Sequence, residues 1–208
     1  MLLVLELCTI FLAEPLAARG LPIAQAVVDT LVLLVVLIVV ALSHRRGAIL
    51  FILLGLAATG ASFLFGQVWS PVTAGVVRRG GNILVFSALT WVVAHAVYAP
   101  GRITSRRLQG AVVVYLNLAL IFASAFSLIW ELRPASFNNL SIAAGGPAEL
   151  DTMMYFSLTT LTTTGYGDIV PVDPFARSLA NLESVLGQFY LAITVARLVT
   201  LEIEGRRR

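Results

Sequence analysis

Long apolar runs, each close to the length that crosses a lipid bilayer, dominate the hydrophobic pattern of this chain. A transmembrane helix needs about 20 mostly apolar residues, and the pattern predicts six of them. They lie at residues 2–18, 23–42, 48–69, 81–98, 110–130 and 178–201. The first is the weakest because it is short and contains two glutamates and a proline. If it lies on the membrane surface instead, five spans remain and the N-terminus is outside.

The composition supports this pattern, since 59% of the 208 residues are hydrophobic and only 12% are charged. Soluble domains are about 25% charged, and a soluble domain of this size leaves much of its surface in water. The composition therefore excludes a soluble globular domain, a disordered chain, a coiled coil and a disulfide scaffold. The predicted fold class is an all-α membrane protein with six transmembrane helices.

The arginines between the predicted spans indicate the orientation of the chain. Cytoplasmic loops carry an excess of basic residues, and with both termini in the cytoplasm eight arginines are inside and five outside. We therefore predict a multi-pass protein of the plasma or inner membrane with both termini cytoplasmic. Only about seven residues follow the last span, so we expect no cytoplasmic ligand-sensing domain.

The segment between the fifth and sixth predicted spans is too polar to cross the membrane, although residues 153–161 are apolar enough to enter it. Asp151 and Thr152 are placed to begin a short helix, because acidic residues interact favourably with a helix N-terminus. That helix must end at the sequence TTGYG (residues 163–167, the TTGYG segment), where alternate glycines permit unusual backbone angles. Non-helical backbone at membrane depth is tolerated where it lines a water-filled path. The spacing therefore predicts a re-entrant helix followed by a strip of aligned carbonyl groups.

This segment resembles the pore loop of tetrameric potassium channels, whose selectivity filter reads Thr-x-Gly-Tyr-Gly. In such filters rings of carbonyl oxygens replace the hydration shell of K⁺. The resemblance implies that Gly167 ends the filter, that Asp168 lies at its outer mouth and that the Thr163 hydroxyl closes the innermost ion site. The backbone carbonyls that it assigns to the ion sites are those of Thr163, Thr164, Gly165 and Tyr166.

The resemblance also implies which residues support the filter. Tyr155 and Phe156 fall where the family often has an aromatic pair that braces the filter. Thr159 falls where some members have an acid in the pore helix. These three residues are therefore predicted to support the filter from the helix that precedes it.

Two residues of the last span are predicted to act on the filter and on gating. Glu183 lies behind the filter if the resemblance holds, and we expect it to hydrogen-bond to groups of the pore helix such as Thr159 or Thr160. Gly187 lies about where the inner helix of the family often has a hinge glycine. We therefore predict a structural role for Glu183 and a gating hinge at Gly187.

The six-span layout is that of voltage-gated channels, but the predicted fourth span lacks the charges that sensing needs. The membrane field supplies about 2.3 kcal/mol per charge per 100 mV, so several arginines per subunit are required. Arg78 and Arg79 precede the span and Arg102 follows it. We therefore predict weak or absent voltage dependence, with residues 1–108 forming a sensor-like domain without sensing arginines. A pore domain at 109–203 and a tail at 204–208 follow.

Charged residues of the predicted outer loops favour cations. Between residues 131 and 177 there are five acids and two arginines, a net charge of −3 per chain. A fourfold ring of such charge would concentrate cations at the mouth. The residues counted are Glu131, Glu149, Asp151, Asp168, Asp173, Arg133 and Arg177.

The remaining ionisable residues of the predicted spans have weaker interpretations. Asp29 is expected at the membrane interface, and Glu6 is either interfacial or a remnant of a sensor's counter-charges. Arg197 is expected to anchor the topology, and His95 to be structural.

The sequence thus predicts a potassium-selective channel that conducts passively as a homotetramer in lipid. K⁺ is the permeant ion, and we expect no organic cofactor, nucleic-acid partner or small-molecule substrate. No nucleophile–base pair, metal-ligand spacing or phosphate loop occurs in the sequence, so we expect no enzyme activity. Two alternatives stay open, which are a non-selective cation channel and a non-conducting membrane scaffold or accessory subunit.

Overall fold

The computed structural model describes residues 2–13, 15–16, 19, 46–99, 104–140 and 148–206, and these are almost entirely helical. The two short strands pair in antiparallel fashion. The elements in chain order are α1 (Leu2–Cys8), a π-helical turn (Thr9–Ala13), α2 (Arg46–Phe65), α3 (Pro71–Val97), α4 (Ser105–Leu132), β1 (Phe137–Asn138), α5 (Ala148–Leu161), β2 (Val170–Pro171) and α6 (Pro174–Arg206).

Four of the described helices are long and apolar enough to cross a membrane, and they correspond to the third to sixth predicted spans. The first predicted span is represented by the apolar stretch Leu2–Ala13, which is shorter than a bilayer-crossing helix. The second, at residues 23–42 with Asp29, lies outside the described residues. The prediction of a helical protein with several membrane spans is therefore confirmed, while the count of six is not reached among the described residues.

Helix α3 begins ten residues before the predicted start at residue 81. Ser70 caps it by accepting a hydrogen bond from the Thr73 backbone N–H at 3.1 Å, and Pro71 occupies the first turn, where its missing N–H costs nothing. Arg78 and Arg79 therefore lie inside the helix, and the prediction that they precede it is wrong. The hydropathy pattern missed these turns because they contain two arginines, of which Arg79 is buried in ion pairs with acids from other helices.

Helices α2 and α3 approach closely where two glycines face each other. A Cβ atom on Gly55 would lie 2.7 Å from the Gly81 carbonyl oxygen, and one on Gly81 would lie 2.7 Å from the Gly55 carbonyl oxygen. Small residues permit this kind of backbone contact between membrane helices.

Helix α4 lies at the centre of the described structure and packs against α1, α3, α5 and α6. In the most apolar stretch of α4, 61% of the residues are buried, compared with 22% in the corresponding stretch of α6. The side chains around its C-terminal half include Phe126, which meets the rings of Phe137 and Phe156 edge to face. This arrangement holds α5 between α4 and α6, and leaves one long face of α6 uncovered.

Candidate functional site

The short helix α5 leads into the TTGYG segment and is fixed on its inner side by burial. Its first turn carries Glu149 and Asp151, which suit the positive end of the helix dipole. Met153, Ser157 and Leu161, at intervals of four residues, are fully buried and mark the side that packs on α4 and α6. The helix ends at Leu161, so the TTGYG segment begins beside its negative end.

The backbone of the TTGYG segment alternates in conformation along its length. Thr163, Gly165 and Gly167 have φ values of +57°, +53° and +78°, whereas Thr164 and Tyr166, which lie between them, are not in this left-handed region. Left-handed residues that alternate with ordinary ones align successive peptide groups. The alternation therefore fits a strip whose carbonyl groups point to one side.

Backbone N–H groups of the TTGYG segment donate hydrogen bonds to α5, while its carbonyl groups at residues 163–166 accept none from the described residues. The backbone N–H groups of Thr164 and Gly165 donate to the Thr159 carbonyl oxygen at 2.8 and 3.1 Å. Within the part of the chain that the structure describes, no donor reaches the carbonyl oxygens of residues 163–166. All five residues of the segment are exposed. Because the segment is exposed, its carbonyl oxygens are accessible to water or to another group outside the single chain.

The predicted filter residues Thr163 and Thr164 also make side-chain contacts within the loop. The Thr163 hydroxyl donates to the Thr162 carbonyl oxygen at 2.7 Å. The family that this segment resembles often has valine at position 164. Here the Thr164 hydroxyl lies 2.8 Å from the Thr162 hydroxyl. The threonine at position 164 is therefore satisfied locally.

Tyr155 connects α5 to the C-terminal end of the TTGYG segment. Its hydroxyl donates to the Asp168 carboxylate at 2.7 Å, and its ring is parallel to that of Tyr166 with the centroids 6.2 Å apart. Phe156 faces the other way and is buried. Its ring centroid lies 4.9 Å from that of Phe126 and 5.5 Å from that of Phe137. The structure thus separates the predicted aromatic pair, with one member beside the segment and the other in the core.

The hydrogen bond from Tyr155 sets the titration of this outer contact. It lowers the pKa of Asp168 below the usual 3.8 and raises the pKa of Tyr155 to about 12. Because the pKa of Asp168 is lowered, its carboxylate contributes to the stability of the folded state above pH 3.8, and this contribution is lost as the pH falls further. Because the pKa of Tyr155 is raised, its protonated hydroxyl contributes to the stability of the folded state below pH 10.0, and this contribution is lost as the pH rises towards 12. The contact is therefore complete at neutral pH.

Replacing Tyr155 with phenylalanine is expected to raise the pKa of Asp168 towards 3.8, since the donor of the dominant hydrogen bond is removed. Carbon-13 NMR of aspartate-labelled protein in detergent measures this pKa directly. Asp173, whose pKa is lowered chiefly by Arg133, is the internal control and keeps its value. An Asp168 pKa that is the same in both proteins would contradict the assignment.

Glu183 is fully buried behind α5, where it meets Ser157. The Ser157 hydroxyl lies 2.5 Å from one Glu183 carboxyl oxygen and 2.8 Å from the Ala119 carbonyl oxygen. Glu183 thus bonds to α5, the helix in which its partner was expected, but the partner is Ser157 rather than Thr159 or Thr160. The Thr159 hydroxyl turns back to Phe156, because a threonine in a helix readily bonds to a carbonyl of the preceding turn.

The hydrogen count in this contact specifies which group donates. A serine hydroxyl has one proton and two lone pairs, so it cannot donate to both Ala119 and Glu183. Both short contacts are accounted for when Ser157 donates to Ala119 and a neutral Glu183 donates to Ser157, while the second Glu183 carboxyl oxygen is buried without a partner among the described residues. Glu183 then links α6, α5 and α4 without burying a charge.

Glu183→Gln is expected to leave the free energy of unfolding within about 1 kcal/mol of wild type, because the glutamine amide also donates to Ser157. Glu183→Ala is expected to destabilise by about 2–4 kcal/mol, because it removes this donor and leaves a cavity. Thermal unfolding in detergent measures both. If glutamine destabilises as much as alanine does, a carboxylate is required and the neutral assignment is incorrect.

Helix α6 passes the end of α5 at Gly187. A Cβ atom there would collide with the Leu161 carbonyl oxygen and would lie 3.0 Å from Leu161 Cδ1. The glycine therefore permits close packing, and α6 runs through this position without a break. The hinge assigned to Gly187 stays a prediction beside this packing role.

Gln188 is a site residue that the sequence reasoning missed. Its Nε2 donates to the Thr163 hydroxyl at 3.2 Å, which brings α6 to the start of the TTGYG segment. The available signal was an amide side chain among apolar neighbours such as Leu186 and Phe189.

Three helices meet at a buried charge cluster. The Arg79 guanidinium of α3 pairs with Glu149 of α5 and lies 3.7 Å from the Glu131 carboxylate of α4. The two acidic side chains are only 2% and 7% exposed. A Cβ atom on Gly75 would lie 2.5 Å from Glu131 Cδ, so that glycine lets the carboxyl lie against α3.

This cluster corrects the predicted vestibule charge of −3 per chain. Glu131 and Glu149 face Arg79 rather than solvent, and Asp173 pairs with Arg133 at 2.8 Å. The exposed negative charge near the TTGYG segment is therefore smaller than predicted. Asp168 is the fully exposed acid next to the TTGYG segment.

Other ionisable residues lie away from this site. Glu6 is buried against α4 and accepts a hydrogen bond from Asn117 at 3.3 Å, so among the described residues its partner is an amide rather than an arginine. The His95 ring packs against Trp91, and Arg197 is exposed on α6.

The chain resembles known ion channels in sequence. Residues 112–203 match the model of a family described as ion channel. The inward rectifier potassium channel Kirbac3.1 of Paramagnetospirillum magnetotacticum is 30% identical over 87 residues, which is 40% of this chain and 25% of that protein. The potassium voltage-gated channel protein shk-1 of Caenorhabditis elegans is 30% identical over 80 residues, or 38% and 15% of the two chains.

A viral relative is covered more completely. The potassium channel protein kcv of Paramecium bursaria Chlorella virus 1 is 31% identical over 78 residues, which is 36% of this chain and 82% of the viral protein. The match thus spans a quarter or less of the first two relatives and most of the third. No solved structure matches the chain significantly.

Proposed function

The chain belongs to the ion channel family, and from that premise we propose that it is a potassium-selective channel that conducts passively as a homotetramer. The observation that carries this proposal is the open strip of carbonyl oxygens at residues 163–166, whose left-handed residues alternate with ordinary ones. In this proposal α5 is the re-entrant pore helix, α4 the outer helix and α6 the inner helix. Asp168 lies at the outer mouth.

The chemistry of the strip suits a monovalent cation that has lost its water. Carbonyl oxygens are partial negative charges that replace hydration without holding the ion as tightly as a carboxylate does. The C-terminal end of α5 adds the negative end of a helix dipole two residues from Thr163. K⁺ is therefore the ion that we assign to Thr163, Thr164, Gly165 and Tyr166.

Assembly from several copies is required because each chain carries one such strip. Helix α6 supports the assembly, since large apolar side chains such as Phe175, Phe189 and Ile193 are each at least 60% exposed in the single chain. Neighbouring copies cover part of this face and membrane lipid covers the rest. The names of the three relatives, all potassium channels, agree with this assignment.

We further propose that voltage dependence is weak. Helix α3 has no arginine or lysine between Gly80 and Val97, and the Arg79 guanidinium is held by acids of α4 and α5. A charge fixed to the pore domain does not cross the field. Residues 1–108 then form a sensor-like domain that moves little charge, followed by a pore domain at 109–203 and a tail at 204–208. Both termini are assigned to the cytoplasmic side of the cell membrane.

Reconstitution of the full chain in planar bilayers tests the proposal. With K⁺ on one side and Na⁺ on the other, the reversal potential is expected to approach that of K⁺, and conductance is expected to change little with voltage. A reversal potential near zero would favour a non-selective cation channel. No current, together with no K⁺ flux from liposomes, would favour a scaffold or accessory subunit.

A further inference from the structure

We propose that Gln188 is a positioning residue that orients the Thr163 hydroxyl at the innermost ion site. The inference rests on the proposed function, because the innermost site exists only in the assembled pore. Its direct observation is the hydrogen bond of 3.2 Å from Gln188 Nε2 to Thr163 Oγ1. Gln188 does not contact the ion in this proposal, since it acts through the threonine.

The hydrogen-bonding capacity of the Thr163 hydroxyl makes this contact specific. Its proton is used on the Thr162 carbonyl oxygen at 2.7 Å, and one of its two lone pairs accepts from Gln188. One lone pair then remains, and its direction is fixed by the other two bonds. Without Gln188 the hydroxyl keeps only its bond to Thr162, and its remaining lone pairs are no longer held towards one point.

The backbone of Thr163 needs support from outside the loop. A φ of +57° is an uncommon conformation for a β-branched residue, and such strain persists only where surrounding contacts hold it. The Thr163 N–H donates to the Thr160 carbonyl oxygen at 2.9 Å, which is a local contact. Gln188 supplies the contact that comes from a different helix.

The packing of α6 explains why Gln188 reaches this hydroxyl. Gly187 brings the α6 backbone against the Leu161 carbonyl oxygen at the end of α5, and the next residue then lies beside the start of the TTGYG segment. Gln188 is exposed in the single chain, as are its neighbours Leu186 and Phe189. The Gln188 amide therefore has a partner within the chain, the Thr163 hydroxyl, although its neighbours on α6 are apolar.

Block by Ba²⁺ from the cytoplasmic side measures the innermost site in the full chain reconstituted in bilayers, because Ba²⁺ is close to K⁺ in size and carries twice the charge. Gln188→Leu is expected to weaken this block about five- to tenfold, the size of one lost neutral hydrogen bond. Gln188→Asn keeps the amide but is one methylene shorter, and it is expected to weaken block to a similar extent. Asn181→Leu, which removes an exposed amide elsewhere on α6, is the control and is expected to leave block unchanged.

The Gln188→Leu substitution in a Thr163→Val protein distinguishes an effect through the Thr163 hydroxyl from a general effect of Gln188 on packing. In Thr163→Val the hydroxyl is absent, so adding Gln188→Leu is expected to change block by less than twofold. Full additivity of the two changes would overturn the proposal, as would wild-type block in a conducting Gln188→Leu or Gln188→Asn channel. If Gln188→Leu does not assemble, Gln188→Asn gives the same comparison. A wild-type protein without K⁺ selectivity would instead overturn the proposed function, which the reversal potential reports separately.

Discussion

Gly165→Ala is expected to abolish potassium-selective conduction while the chain still inserts into the membrane. A Cβ atom at Gly165 meets no atom within 4 Å, so the cost arises from the backbone, which has a φ of +53°. A left-handed conformation costs a residue with a side chain about 1–2 kcal/mol. Four copies in one ring bring the total to about 4–8 kcal/mol, enough to displace the carbonyls from a shared axis. Reversal potentials in mixed K⁺ and Na⁺ measure the loss.

Gly80→Ala is the matched control for this substitution. A Cβ atom at Gly80 also meets no atom within 4 Å, but Gly80 lies within helix α3, where alanine is favoured over glycine by about 1 kcal/mol. We expect unchanged selectivity and equal or higher thermal stability. If Gly165→Ala kept the wild-type reversal potential, the assignment of the ion sites would be incorrect.

Arg79→Leu is expected to destabilise the protein by about 3–5 kcal/mol, because it takes a buried guanidinium away from two acidic side chains, Glu131 and Glu149. Removing one member of a buried ion pair costs much more than replacing the whole pair with neutral groups. Thermal unfolding in detergent is the measurement. Adding Glu149→Gln to Arg79→Leu is expected to recover part of the loss.

Arg78→Leu is the control for the charge cluster. Arg78 is adjacent to Arg79 in sequence. Among the described residues, Arg79 and Arg133 form ion pairs with acidic side chains and Arg78 does not. We therefore expect its replacement to destabilise the protein less than Arg79→Leu does. Equal destabilisation by both substitutions would show that the effect is one of general charge rather than of the buried pair.

The local features of the site could be predicted from the sequence because neighbouring residues determine them. Alternate glycines after a short apolar helix predict a break in the helix and a left-handed backbone, and Gly165 and Gly167 have that backbone. Asp151, expected at the start of the short helix, lies in the first turn of α5, which begins three residues earlier at Ala148. Apolar runs also located the four long helices, since each run is itself long enough to span a bilayer.

Contacts between distant parts of the chain could not be predicted in this way. Glu149 lies 70 residues from Arg79, so the loop acid predicted at the mouth is instead buried with a guanidinium. The partner of Glu183 is Ser157 rather than a threonine, because the face of α5 that meets α6 depends on how the helices pack. The approach at Gly187 and the reach of Gln188 depend on the same packing.

The most direct test of the central claim is a density map of the assembled protein in K⁺, repeated with Rb⁺ to identify the ions by their greater scattering. The account predicts four copies around one axis and a row of ion density beside the carbonyl oxygens of residues 163–166. Strips that turn away from a common axis, or an assembly of any number other than four, would contradict it.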